Sequence, residues 1–327
     1  MIDMRVCDNP DEWDDIVLDM GGHPLQLWGW GELKSGNGWR VDRLVFRENE
    51  SVIGFYQILT RKLPLPFRAF SYIPRGSLFH VKQSEILDVA ASYVKGKYKS
   101  VALSFEPDSM IFDKPDGWIL ATNKILPAET VLLDLNLSED ELQSTMAKKT
   151  RQYIRKSAKE VEIKQVKAKD EVLRCLDIYK QTARRAGFAL HSDDYYLSVM
   201  EKMSDHAPLF AAYKKGQPVA FLWMAISGTT GYELYGGMNE EGQSLRANYA
   251  LKWHAISKLK QWGLQKYDFG GIVAGGVANF KQGWVSDTVF FAGTFDKPLS
   301  PIYILWSHAL PFAKRSAQKV RKILKRG

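Results

Sequence analysis

The chain has 327 residues, ordinary apolar and charged fractions, and a formal net charge of +8. This is the composition of a soluble globular protein of two domains or one large one, and no apolar run approaches the ~18 residues of a membrane span. The two cysteines, Cys7 and Cys175, and the six histidines show neither disulfide nor zinc-ligand spacing. The acidic start (Asp8, Asp11, Glu12, Asp14, Asp15) lacks the basic-then-apolar pattern of a secretory signal, so a cytoplasmic protein is expected.

The positive charge is local. Lys148, Lys149, Arg151, Arg155, Lys156 and Lys159 form one run without an acid, and seven cations between Lys314 and Arg326 form another. Acids outnumber bases elsewhere, so the two patches point to a polyanionic partner.

In chain order, Pro24 to Lys34 reads as the entry to a short helix, with a turn at Gly36-Asn37-Gly38. Val41–Phe46 and Val52–Leu59 read as a hairpin turning at Glu48 to Ser51. A strand at Phe70–Ile73 ends at Arg75-Gly76, Ser84–Lys95 has helical spacing, and Val101–Phe105 returns as a strand. The Pro-, Gly- and Asp-rich piece from Pro107 to Glu129 suits a connecting segment, and Thr130–Leu135 a strand. Ser138-Glu139-Asp140-Glu141 is a capping box opening one helix through the first basic run, followed by a helix over about Glu171–Ala186. A second hairpin turns at Lys214 to Gln217, followed by a strand to Tyr235 before Gly236-Gly237. A helix over Asn248–Gly263 and a strand at Lys266–Phe269 complete the pattern.

The second pass repeats the first. The spacing between Ile53-Gly54-Phe55 and Val219-Ala220-Phe221 equals that between Val101 and Tyr267. Both copies run hairpin, strand, glycine turn, helix, strand, which implies a duplicated α/β module with a ligand groove between the copies. This is also the layout of coenzyme A-dependent N-acyltransferases. Their glycine-rich pyrophosphate cradle has no counterpart here, because Ser244 to Tyr249 contains no glycine.

The stretch from Tyr267 to Trp284 invites a chemical reading. A strand ends at Phe269, two glycines turn the chain, and Lys281 returns between Phe280 and Trp284. An ammonium among aromatic surfaces acts strongly on a developing anion. The same spacing also suits a solvated lysine on a hairpin.

Several pieces together resemble the Fem family of peptidoglycan-bridge aminoacyl-tRNA transferases. They are Trp30-Gly31-Glu32-Leu33-Lys34 with Gly38-Trp39, Tyr72-Ile73-Pro74-Arg75-Gly76, Phe105-Glu106-Pro107, Lys148-Lys149-Thr150-Arg151 with Ile154-Arg155-Lys156, Tyr235-Gly236-Gly237, Tyr267-Asp268-Phe269-Gly270-Gly271 and Phe280-Lys281. The resemblance implies two tandem GNAT-like α/β (α+β) domains, mixed sheets flanked by helices, in the short form without the family's helical arm. Residues 1–134 plus 298–327 would form the first, acceptor-binding domain with a returning C-terminal helix, and 135–297 the second. It implies transfer of Gly, Ala or Ser from aminoacyl-tRNA to the side-chain amine of the stem peptide, in UDP-MurNAc-pentapeptide or lipid II, by a monomer without cofactor or metal.

Carried over residue by residue, Lys281 and Glu106 take catalytic roles: Lys281 stabilises charge at the reacting carbonyl, and Glu106 orients or deprotonates the amine. A carboxylate beside Pro107 also suits a helix or turn cap. Lys34, Tyr235 and Phe280 fall on substrate-binding positions, as does His191, where relatives have an arginine that grips phosphate more strongly. Lys148, Lys149, Arg151, Arg155 and Lys156 are candidates for tRNA or acceptor phosphates, or a solvated helix face. The run Lys314–Arg326 is a candidate contact with the inner membrane surface, or packs on the first domain. Competing readings are an acyl-coenzyme A N-acyltransferase and a non-catalytic RNA- or membrane-binding protein.

Overall fold

Two hairpins with the same tight turn start two sheets built on one plan. Asn49 and Glu50 turn the first with φ of 48° and 69°, and Lys215 and Gly216 the second with 49° and 76°. Two left-handed residues between paired strands make the twist-compatible hairpin turn. The computed structural model describes residues 2–272, 280–285 and 287–308.

The first elements are β1 (Asp3–Val6), α1 (Pro10–Asp19), α2 (Trp28–Ser35), β2 (Arg40–Glu48), β3 (Ser51–Lys62), β4 (Ala69–Gly76), α3 (Gln83–Tyr98), β5 (Ser100–Pro107) and β6 (Ile119–Leu120). Next come β7 (Glu129–Thr130), β8 (Leu132–Asp134), α4 (Glu139–Thr145), α5 (Lys148–Ser157), β9 (Glu162–Val166), α6 (Lys169–Ala186) and α7 (Asp193–Met203). The chain ends through β10 (Leu209–Lys214), β11 (Gln217–Ile226), β12 (Thr230–Met238), α8 (Glu240–Leu245), α9 (Ala247–Gln261), β13 (Lys266–Asp268), β14 (Val289–Phe290) and β15 (Phe295–Pro298).

The chain forms two compact units. The first takes residues up to Trp13, Lys34–Ala128 and the chain from Phe291; the second takes Asp14–Leu33 and Glu129–Phe290. The first sheet has the order β1-β2-β3-β4-β5-β15-β6 and the second β9-β10-β11-β12-β13-β8. In each, one neighbouring pair is parallel, β4 with β5 and β12 with β13, and the others are antiparallel. The duplication therefore holds at the level of topology: β2–β3 corresponds to β10–β11, and β5 to β13. A parallel pair needs a crossover, supplied by α3 in one unit and by α8–α9 in the other.

Each unit has its own core. Ile86, Leu87, Ala90 and Val94 of α3 pack on Ile73, Leu103 and Phe105. Leu251, Ile256 and Leu259 of α9 pack on Phe210, Leu222, Met224 and Tyr267. The capping box forms as expected, Ser138 and Glu141 bonding to each other's backbone N–H.

The single helix expected through the basic run is instead two. Met146 is extended (φ −81°, ψ 144°), and the Ala147 N–H leaves the helical ladder for Gly283 O at 3.0 Å. Arg151 closes the break by donating to Gln143 O at 2.8 Å and Met146 O at 2.9 Å, satisfying carbonyls that a helix end leaves open.

Gly29 lets α2 lie against α7. A Cβ there would stand 2.1 Å from Lys202 O and 3.0 Å from Met203 Cα, so backbone would have to move. Gly29→Ala is expected to cost about 2–3 kcal/mol and lower the melting temperature of the second unit by several degrees, measured by calorimetry.

Candidate active site

The two units differ where their parallel strands meet. In the first, β4 and β5 run together until Gly76 lies opposite Pro107. In the second, β12 and β13 pair only over Thr230–Tyr232 and Lys266–Asp268. Beyond that point Phe269 N turns to Val131 O at 3.1 Å, and the strands part.

Buried charges gather at this fork. Lys281 is 8% exposed, and its Nζ donates to Phe269 O, to Gly270 O at 2.9 Å and to Gly271 O at 3.0 Å. An ammonium has three N–H bonds, so all are used. Lys252, on the buried face of α9, donates to Glu233 of β12, which also accepts from Tyr267 OH at 2.7 Å. The Lys252 ammonium lies 4.6 Å from the Phe269 ring and 5.3 Å from that of Phe280. Asp268 accepts from Thr130 Oγ1 at 2.5 Å and from Gly270 N at 2.9 Å. Burial pushes the Lys252 ammonium down to about 8, against the pull of Glu233 and with the added repulsion of Lys281. Burial also lowers Lys281, opposed by Glu233 and Asp268. Two cations and two carboxylates thus share one desolvated space.

A cleft of about 750 Å³ lies beside this cluster, its walls including Lys149, Tyr153, Arg246, Asn248, Tyr249 and Phe280. The first turns of α5 and α9 both face it, and neither N-cap residue, Ala147 or Arg246, caps its helix with a side chain, although Ser157 Oγ accepts from Ala250 N at 3.1 Å. Helix N-termini carry partial positive charge and free N–H groups, so the cleft favours an anion. Arg246, left-handed at φ 54°, lays its guanidinium 3.6 Å from the centre of the Tyr153 ring. Tyr153 meets Tyr249 edge-on at 5.0 Å, and Tyr249 meets Phe280 at 4.9 Å. Cations and aromatic rings therefore line one space.

Of the basic residues singled out in the sequence, Lys149 lines this cleft. Arg151 is engaged in closing the α4–α5 break, while Lys148, Arg155 and Lys156 are exposed on α5. Tyr235 and His191 come together elsewhere in the second unit: His191 stacks on Tyr195 at 3.9 Å, and the Tyr195 and Tyr235 hydroxyls lie 3.3 Å apart. Desolvation, with Tyr195 close by, raises the Tyr235 phenol well above its ordinary range.

Glu106 and Lys34 belong to the first unit. Lys34 is half-buried in the last turn of α2. Glu106 is buried at the end of β5 and accepts from Tyr72 OH, Ile125 N at 3.3 Å, Leu126 N at 2.9 Å and Thr294 Oγ1 at 2.6 Å. Four donors fill the usual capacity of a carboxylate. The Lys314–Arg326 run lies outside the described residues.

Glu233, Lys252, Arg246, Tyr153 and Tyr249 were not singled out from the sequence. A carboxylate inside the apolar strand Tyr232–Tyr235 and a lysine within a helix apolar on most sides were the available signals for the first two.

Comparison with known proteins agrees with this architecture. Residues 144–282 match the acetyltransferase (GNAT) domain family. A lipid II:glycine glycyltransferase of Staphylococcus epidermidis (strain RP62A) is 22% identical over a 395-residue alignment covering 93% of this chain and 95% of the relative. The protein of the same description from Staphylococcus aureus (strain USA300) is 20% identical, with the same coverage. The crystal structure of FemX superposes with a TM-score of 0.83 at 19% identity, over 93% of this chain and all of that one. A tandem GNAT protein from the clavulanic acid pathway gives 0.53 at 10% identity, over 92% and 99% of the two chains. Fold and domain match show a mixed α/β, tandem GNAT-like fold. Over nearly its whole length the chain is similar to the lipid II:glycine glycyltransferases and to FemX, and no helical arm interrupts the described residues of its second unit.

Lys252 sets a pH signature. Between its folded value of about 8 and the unfolded 10.5, the unfolded chain holds a proton that the folded chain lacks, so stability rises with pH across that window. The double variant Lys252→Met/Glu233→Gln is expected to reduce this rise to the part contributed by the lowered Lys281 ammonium. Melting temperature measured from pH 8 to 9.5 for both proteins checks it.

Proposed function

We propose that this protein transfers an amino acid (Gly, Ala or Ser) from aminoacyl-tRNA to the side-chain amine of the stem peptide of a peptidoglycan precursor. The observation that carries this reading is the cleft in the second unit, where two helix N-termini, Lys149 and Arg246 face the rings of Tyr153, Tyr249 and Phe280. A terminal nucleotide of RNA offers phosphate for the cations and a base for the rings. The lipid II:glycine glycyltransferase description of the relatives supports a lipid-linked acceptor and makes glycine the first amino acid to test.

The aminoacyl ester is already activated. The acceptor amine attacks its carbonyl carbon, a C–N bond forms as the ester C–O bond breaks, and the amine's proton leaves as the ribose hydroxyl is restored. Alignment and charge stabilisation at the oxyanion supply the catalysis. In this reading Lys281 acts through its field and by shaping the 269–271 turn, because its three N–H bonds are already engaged. Glu106 takes the amine's proton only by releasing one of its four donors, so its part is to position Tyr72 and the 125–126 loop. Tyr235 and His191, which come together in the second unit, serve the acceptor, and Lys34 of the first unit is a phosphate contact. A coenzyme A reading is weaker, because α8 and Arg246 occupy the stretch where a glycine-rich cradle would lie.

The test is a transfer assay with labelled Gly-, Ala- and Ser-tRNA against UDP-linked and lipid-linked pentapeptides, with acetyl-coenzyme A as a rival donor. Arg246→Ala is expected to raise the aminoacyl-tRNA KM about tenfold and lower its salt slope by about one, with kcat little changed. Lys281→Met is expected to lower kcat at least about a hundredfold. An unchanged KM and salt slope in Arg246→Ala would remove the cleft as the donor site.

A further inference from the structure

Outside the candidate site, cations gather on the first unit around the connection between β3 and β4. Arg40, Lys62 and Arg68 line one cleft there with Leu63 and Leu65. Arg68, Lys95 and Lys99 line an adjoining one with Phe67 and residues 299–301. No carboxylate lines either cleft. The nearby acids are withdrawn: Asp42 is buried among Lys97, Tyr93 and Tyr98, and Asp296 is buried against Ser104 and Tyr303.

At the tip stands an apolar residue. Leu65 is 84% exposed between Pro64 and Pro66, whose rings restrict the backbone. The loop is braced from below, with Phe67 and Phe70 packed on Trp306 at 5.4 and 5.8 Å. Trp306 belongs to the helical segment 303–308, which leaves Ile304 69% and Leu305 58% exposed. A leucine held out on a braced loop, ringed by cations, matches a surface of anionic headgroups above hydrocarbon. An RNA backbone would answer the cations but leave Leu65, Ile304 and Leu305 in water.

We propose that this face of the first unit docks on an anionic membrane, with Leu65 entering the interface and Lys62, Arg68, Lys95 and Lys99 on lipid phosphates. Beyond residue 308 the sequence continues into the basic run Lys314–Arg326, whose charge has the same sign. The proposal is independent of the transfer reading, because vesicle binding is measured without any donor or acceptor.

The test uses the full chain and sedimentation with vesicles of phosphatidylglycerol and phosphatidylcholine, against phosphatidylcholine alone. Binding is expected only to the anionic vesicles and is expected to fall as salt rises. Leu65→Ser is expected to weaken it several-fold, and Lys62→Ala/Arg68→Ala about tenfold or more. These exposed positions should leave the melting temperature and transfer to a soluble acceptor unchanged. Absence of vesicle binding, or binding unaltered in both variants, overturns the proposal. It is equally overturned if the double variant loses affinity for single-stranded RNA while keeping its affinity for vesicles.

Discussion

A buried ammonium requires an acceptor for each of its three N–H bonds, and the turn after β13 supplies all three to Lys281. Residues 269–271 can present three carbonyls to one point because the chain bends sharply there, with Gly270 at φ 67° and Asp268 holding its N–H. The lysine's charge is then balanced by Asp268 and Glu233, and Glu233 in turn is balanced by Lys252. Removing any one of these four would leave an uncompensated charge in a desolvated space, which costs far more than the net worth of a pair. The same segment accepts Ala147 N–H at Gly283 O, so the α4–α5 break and the mouth of the cleft depend on where residues 280–284 sit.

The duplicated plan makes the asymmetry of the two units informative. In the first unit the position corresponding to the fork is closed: a Cβ on Gly76 would stand 2.4 Å from the Phe105 ring, and β4 remains paired with β5. The carboxylate at the end of β5, Glu106, is spent on holding a loop. In the second unit the strands separate after three residues, and Glu233, Lys252, Asp268 and Lys281 gather there among the rings of Phe269 and Phe280.

What was legible in the sequence was local. Two-residue turns between alternating strands, the Ser138–Glu141 box and the apolar spacing of α3 are each decided by residues within a few positions, and all appear in the structure. β15 was not legible, because Phe295–Pro298 is four residues long and is a strand only through its pairing with β5. α7 was passed over because its start, Asp193-Asp194 beneath the Ser192 cap, reads as a polar loop until Tyr195, Tyr196 and Val199 find their core. The break at Met146–Ala147 depends on Gly283, far along the chain, so periodicity carried the helix straight through it.

The sequence by itself determined the duplicated α/β plan, the family resemblance and the presence of a lysine among aromatics after Phe269. These survive because topology and motif order are written in residue types and spacing. The tertiary structure alone decided which charges face what. Helical geometry spreads the cations of α5 around its axis, so Lys149 meets the cleft while Arg151 turns to cap α4. Glu233 and Lys252 became partners only when strand and helix were packed together, since the energy of a buried charge depends on neighbours that no single stretch of sequence contains.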